Sequence, residues 1–162
     1  MIKAQHFEES LRRSLDVLGT FNPKLGAQNA VELLMGTAAQ ETNLGYYLRQ
    51  HPAGPGRGPY SIEQATHVDV VRYLQRPQNA ILLDLVNSMV RRGATLGDEG
   101  ELVDNFAYAH AICRIRYWYE TAPIAVAGDI RGHGEYWKQH FNTPAGAGTV
   151  EEFMANWKKC IK

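Results

Sequence analysis

The segment with the clearest chemical potential is Ala38-Ala39-Gln40-Glu41-Thr42-Asn43-Leu44-Gly45. It sets a carboxylate at the C-terminal end of an apolar helical run, just before a stretch rich in glycine and proline. A carboxylate there meets the negative end of the helix dipole, and apolar neighbours strip water from its charged form. Both effects raise its pKa. A carboxyl kept protonated near neutral pH can give its proton to a leaving oxygen, which is the work of a general acid. The plainer alternative is a solvated glutamate at a helix end, and position alone does not decide between them.

Other chemistries are poorly supported. Six histidines invite a metal reading, and His133 and His140, seven apart, share a helical face. No third ligand stands at a suitable spacing and there is no His-Glu-x-x-His, so the expectation is no metal and no cofactor. Gly54-Pro55-Gly56-Arg57-Gly58 is no phosphate loop, because its prolines remove donors and no Gly-Lys-Ser/Thr follows. Ser61 lacks the Gly-x-Ser-x-Gly elbow of a hydrolase nucleophile. Trp118 and Trp137 read as core anchors, and Cys113 as a small buried hydrophobe.

The elements that must hold Glu41 are helical throughout. Phe7, Leu11, Leu15 and Leu18 mark an amphipathic helix over residues 3–18, stopped by Gly19. Residues 29–42 carry a wide apolar arc and should lie deep in the core. Residues 43–60, with Pro52, Gly54, Pro55, Gly56, Gly58 and Pro59, read as an irregular loop. Ser61-Ile62-Glu63-Gln64 then reads as a capping box opening a helix to Gln75. Further helices are predicted over 79–92, from a cap at Asp98 through Glu120 as the longest, over 134–141, and after a second capping box at Thr149-Val150-Glu151-Glu152. The predicted class is all-α, about seven helices in a single domain over residues 1–162, with a substrate cleft.

Composition narrows the function. A chain of 162 residues, 44% hydrophobic and 21% charged, is ordinary globular protein with room for one core. Seventeen basic residues balance seventeen acidic ones, so neither nucleic acid nor an anionic membrane is an expected partner. No apolar run is long enough to span a bilayer. The start, Met1-Ile2-Lys3-Ala4-Gln5-His6-Phe7-Glu8-Glu9, has no apolar core of a signal peptide, so synthesis is expected in the cytoplasm without one. Two cysteines, Cys113 and Cys160, are too few for a disulfide framework and read as reduced thiols.

The order of features after Glu41 resembles the lytic transglycosylase and goose-type lysozyme group of the lysozyme-like superfamily. Glu41-Thr42-Asn43-Leu44 is similar to that group's catalytic Glu-Ser-x-x at a helix end. Gly58 through Thr66 is similar in register to Gly-Leu-Met-Gln-x-x-Pro-x-Thr, which lines the sugar cleft. His140-Phe141-Asn142-Thr143-Pro144-Ala145-Gly146-Ala147-Gly148 resembles an expanded Ala-Tyr-Asn-Ala-Gly-x-Gly, the motif that closes the cleft near the acid. The resemblance spans roughly residues 29–149 and rests on order and spacing. Ser61 stands where the family has its cleft glutamine, Gln64 where it has proline, and Phe141 where it has tyrosine. An inserted Thr143-Pro144 widens the third motif.

The resemblance implies cleavage of the β-1,4 bond between N-acetylmuramic acid and N-acetylglucosamine in bacterial wall. Glu41 would protonate the oxygen leaving C1, and in a transglycosylase would then take the proton of the muramyl 6-hydroxyl as a 1,6-anhydro ring closes. An inverting lysozyme would need a second carboxylate about 6.5–9.5 Å away to activate water. Glu63 and Asp69 are nearest in sequence, without a spacing that argues for the role, so the transglycosylase is preferred. Aromatic and amide groups should wall the cleft, with Tyr46, Tyr60, Tyr108 and Asn142 the candidates alongside Ser61. For Tyr108 the alternative is a core aromatic on the long helix. The expected partner is the glycan strand, met by a monomer. Such a neutral chain without a signal peptide looks like a phage lysin, either released through a holin or carried on the virion. The rival reading is a catalytically degenerate, lysozyme-like part of a phage tail or baseplate, contacting other tail proteins.

Overall fold

The apolar spacings resolve into eight α-helices in a computed structural model of the chain, which describes residues 2–50, 53–143 and 145–161. Met1, Pro52 and Pro144, named above, lie outside the described residues. In chain order the helices are α1 (Ala4–Gly19), α2 (Gln28–Thr42), α3 (Gln64–Leu74), α4 (Ala80–Asn87), α5 (Glu99–Asp104), α6 (Phe106–Trp118), α7 (Ile130–His140) and α8 (Val150–Cys160). Single 3₁₀ turns at Pro23–Gly26 and Pro77–Asn79 start with proline, whose missing N–H costs nothing at a helix start. The fold is all-α. Among the described residues no helix is long and apolar enough to cross a membrane.

Helix α1 buries Phe7, Leu11, Leu15 and Leu18 along one stripe, and that stripe packs against α6. Helix α2 is buried nearly all round, through Ala30, Val31, Leu33, Leu34, Met35, Ala38 and Ala39. It packs against α7 and α8 as well as α1 and α6. One hydrophobic cluster takes side chains from all eight helices, and each leucine-sized side chain it buries contributes roughly 1.5–3 kcal/mol. The functional consequence is positional. The last turn of α2, which carries Glu41, continues directly from this buried segment.

Three expectations about the elements are corrected. The longest helix is two, because at Asn105 the backbone turns extended (φ −134°, ψ 93°) between α5 and α6. The Asn105 side-chain amide donates to the Met89 carbonyl (2.6 Å) and the Glu101 carboxylate (2.7 Å). Its oxygen accepts from the Tyr108 N–H (3.2 Å), so one residue ends α5 and caps α6. Helix α4 stops at Asn87 rather than Arg92, although Met89 and Val90 still pack against the core. Helix α7 begins at Ile130, four residues before the expected start, because Asp129 caps it by accepting from the Gly132 N–H (2.9 Å). The second capping box is present, with Thr149 and Glu152 exchanging hydrogen bonds at the start of α8.

Between α2 and α3 the described residues form turns, bends and isolated bridges, the irregular segment expected over 43–60, but specific backbone pairs pin it. Ile62 and Arg57 exchange both backbone hydrogen bonds (2.9 and 3.0 Å), the Gly58 N–H donates to the Leu48 carbonyl (2.9 Å), and the Gln50 N–H donates to the Gly56 carbonyl (3.1 Å). These pairings make two antiparallel bridges, Arg49 to Arg57 and Arg57 to Ile62. Gly58 makes the fold of this segment possible: its φ is +71°, and a Cβ there would collide with the Leu102 carbonyl oxygen.

Candidate active site

Asn43, at the end of α2, adopts the left-handed conformation (φ 52°), which stops the helix one turn beyond its deep segment. Thr42 fastens that end to the segment that follows. Its buried hydroxyl donates to the Pro59 carbonyl (2.6 Å) and accepts from the Gly45 N–H (2.8 Å). Glu41 is thereby presented to a cavity of about 390 Å³ lined by Glu41, Gln50, Ser61, Ile62, Glu63, Thr66, Arg116, Phe141, Asn142 and Thr143. Four elements meet there: the end of α2, the 50–66 segment, the end of α6, and the turn after α7.

Burial pushes the Glu41 carboxyl up from the ordinary 4.5 to about 7, and the Trp137 indole N–H, donating to its Oε1 at 2.9 Å, partly offsets that rise. Desolvation therefore outweighs hydrogen bonding, and near neutral pH both protonation states are populated. Trp137 is only 1% exposed and packs on Phe153 of α8 (ring centroids 5.6 Å), so the donor is held rigidly. Among the described residues it is the hydrogen-bond donor to Glu41. Trp137→Phe keeps a ring but removes that donor. Because the N–H favours the ionised carboxylate, its loss should move the Glu41 pKa above 7. The alkaline limb of any Glu41-dependent activity should shift to higher pH, as read from a kcat/KM profile. An unmoved limb would remove Trp137 from the site.

The remaining walls are tied in place. Arg116 is bonded to the Glu120 carboxylate and the His140 carbonyl, which leaves its guanidinium at the cavity edge. Asn142 donates to the Gly148 carbonyl (3.1 Å). Phe141 packs against Tyr117 (5.4 Å). Gln50 accepts from the Gly56 N–H (3.1 Å).

Of the residues predicted from sequence, Glu41, Ser61 and Asn142 come together in this cavity. Ser61 arrives differently from expectation. It does not cap α3, whose cap position is Glu63 without a side-chain bond; it sits in a tight turn (φ 50°) with its N–H donating to Gly58 (3.1 Å). The three tyrosines do not line the cavity. Tyr60 is fully buried, its hydroxyl 2.7 Å from His110 Nδ1, in a cluster with Phe7. Tyr108 is fully buried too, bonded to His67 Nε2 (2.7 Å) and accepting from the Gly97 N–H (3.1 Å). Histidine and backbone partners satisfy both phenols inside the core, so neither needs a polar surface. Tyr46 is 56% exposed, but it stands over a separate hollow with Asn43, Leu44 and Lys159.

Trp137, Arg116, Gln50 and Thr143 were missed by the sequence reading. The core-anchor reading of Trp137 agrees with its burial and its packing on Phe153, but its bond to Glu41 has no local signal in the sequence. Of the two carboxylates considered as partners for Glu41, Glu63 lines the same cavity and Asp69 lines another with Arg72, Tyr73 and Arg76. Among the described residues no three His, Cys, Asp or Glu side chains gather as a metal site. His133 pairs with Glu32 (3.1 Å) and His140 with Glu120 (3.3 Å). No protein-family model, curated protein or solved structure matches the chain.

Proposed function

We propose that the protein cleaves the glycan strands of bacterial wall, with Glu41 as the general acid. The observation that carries this reading is a carboxyl held near pKa 7 by burial at the edge of a mostly polar, sugar-sized cavity. An acid of that strength is half protonated at neutral pH, where it can give a proton to the glycosidic oxygen as the C1–O bond breaks. Ser61, Thr66, Asn142 and Gln50 supply the hydroxyl and amide groups that sugar hydroxyls and N-acetyl groups pair with. The ordered resemblance of residues 41–44, 58–66 and 140–148 to the transglycosylase and lysozyme motifs names the substrate.

Two second steps follow from the same first one. In a lytic transglycosylase Glu41, now ionised, takes the 6-hydroxyl proton of the muramyl unit while that oxygen bonds C1, and one carboxylate suffices. The presence of Glu63 in the cavity favours a second reading, an inverting muramidase in which Glu63 takes a proton from the attacking water. Purified peptidoglycan incubated with the protein should release muropeptides, and their mass separates the readings. Anhydro ends identify the transglycosylase, reducing ends the muramidase. Intact glycan after prolonged incubation would reject both and leave a lysozyme-like structural protein, whose natural setting would be a phage particle.

A further inference from the structure

On the face of α6 away from Arg116, a second cavity of about 540 Å³ is lined by aromatic and apolar groups, Tyr117, Trp118, Ile124 and Tyr136 among them. Arg114 is part of its lining and is only 2% exposed. The guanidinium is fixed on one side: Nε donates to the Leu25 carbonyl (2.9 Å) and Nη2 to the Lys24 carbonyl (3.1 Å). Its Cζ lies 5.4 Å from the centre of the Trp118 ring. On the other side Nη1 is buried and has no hydrogen-bond partner among the described residues. Among those residues no carboxylate forms an ion pair with Arg114.

A buried cation without a counter-charge is costly, since carbonyl dipoles replace only part of its hydration. Burial lowers the Arg114 pKa to about 10, so the side chain stays positive at neutral pH. Glu120 also borders the cavity, but its carboxylate is engaged by Arg116 and by His140 (3.3 Å). Exposed Lys24 adds positive charge at the rim. A planar guanidinium with a free N–H beside aromatic walls matches a carboxylate joined to an apolar body, because guanidinium–carboxylate bonds are charge-assisted and directional.

We infer that this cavity binds a small carboxylic acid with an apolar or aromatic body, held by Arg114 and Trp118 at a site separate from Glu41. Phenylacetate and its neutral counterpart phenylacetamide are the probes, titrated by calorimetry against the full chain. Phenylacetate should bind at least about tenfold more tightly than the amide, the margin expected of one charge-assisted pair. Arg114→Met, which keeps the side-chain bulk, should abolish that preference. Thr121→Glu, a substitution at an exposed position of the cavity lining, should weaken phenylacetate and not the amide, and it carries the test if the Arg114 variant does not fold. Glu41→Gln should leave phenylacetate binding unchanged. Equal affinity for the two probes, a preference that survives both cavity variants, or loss of binding in Glu41→Gln would each overturn the site.

Discussion

Glu41→Gln is expected to lower the rate of peptidoglycan solubilisation by at least about a hundredfold, the usual contribution of a positioned proton donor. The amide still accepts from the Trp137 N–H and fills the same volume, so the cavity should survive while the transferable proton is gone. The same substitution should change stability with a definite sign. In the unfolded chain Glu41 titrates near the ordinary 4.5, and in the folded protein near 7. Between those values the folded state binds the extra proton, so stability falls as pH rises through the window, and the full penalty stands above about 7. Glutamine carries no such penalty. The variant should melt like the parent near pH 4 and be more stable than it at pH 8, by about 3 kcal/mol. Loss of activity together with a pH-independent loss of stability would instead mean that the side chain is structural.

Gly58→Ala is the second large effect. At φ +71° an alanine is strained, and its methyl group would also meet the Leu102 carbonyl oxygen, a backbone atom that cannot swing aside. Together these should cost about 2–4 kcal/mol in chemical denaturation. Gly93→Ala separates the two contributions, because Gly93 also has positive φ (+89°) but open space where its Cβ would lie. It should cost only about 1 kcal/mol. Because Gly58 accepts from the Ser61 N–H and donates to Leu48, its displacement would also move the wall of the cavity. Activity per folded molecule should fall as well as stability. Equal costs for the two glycine variants would show that the segment 43–63 gives way freely around residue 58.

The helices were legible in the sequence wherever the signal was local. The stripe of Phe7, Leu11, Leu15 and Leu18, the wide apolar arc of α2 and the Thr149 capping box each depend on residues within a few positions of one another. The break at Asn105 was not legible, because Leu102, Phe106, Ala109 and Cys113 continue one helical stripe across it. What breaks the helix is a hydrogen bond to Met89, sixteen residues away. Ser61 misled for a related reason. A serine three residues before a glutamine resembles a cap, but the positive φ at Gly58 and the pairing of Arg57 with Ile62 turn it toward the cavity. At the site, the buried position of the Glu41 carboxyl was legible because a helix-end carboxylate among alanines is unusual. The tyrosines were not, since a phenol suits a sugar wall and a core equally until its partner is known. For Tyr60 and Tyr108 those partners are His110 and His67, supplied by other helices.

The protonation of Glu41 is the point on which the chemistry turns, and it can be read directly from the side-chain carboxyl carbon. Selective ¹³C labelling of glutamate, with the Glu41 resonance assigned by its disappearance in Glu41→Gln, gives a titration curve for this one group. A midpoint near 7 is the expected result, well above the ordinary 4.5. A midpoint near the ordinary value would mean a carboxylate already ionised at neutral pH, with no proton to give to a glycosidic oxygen.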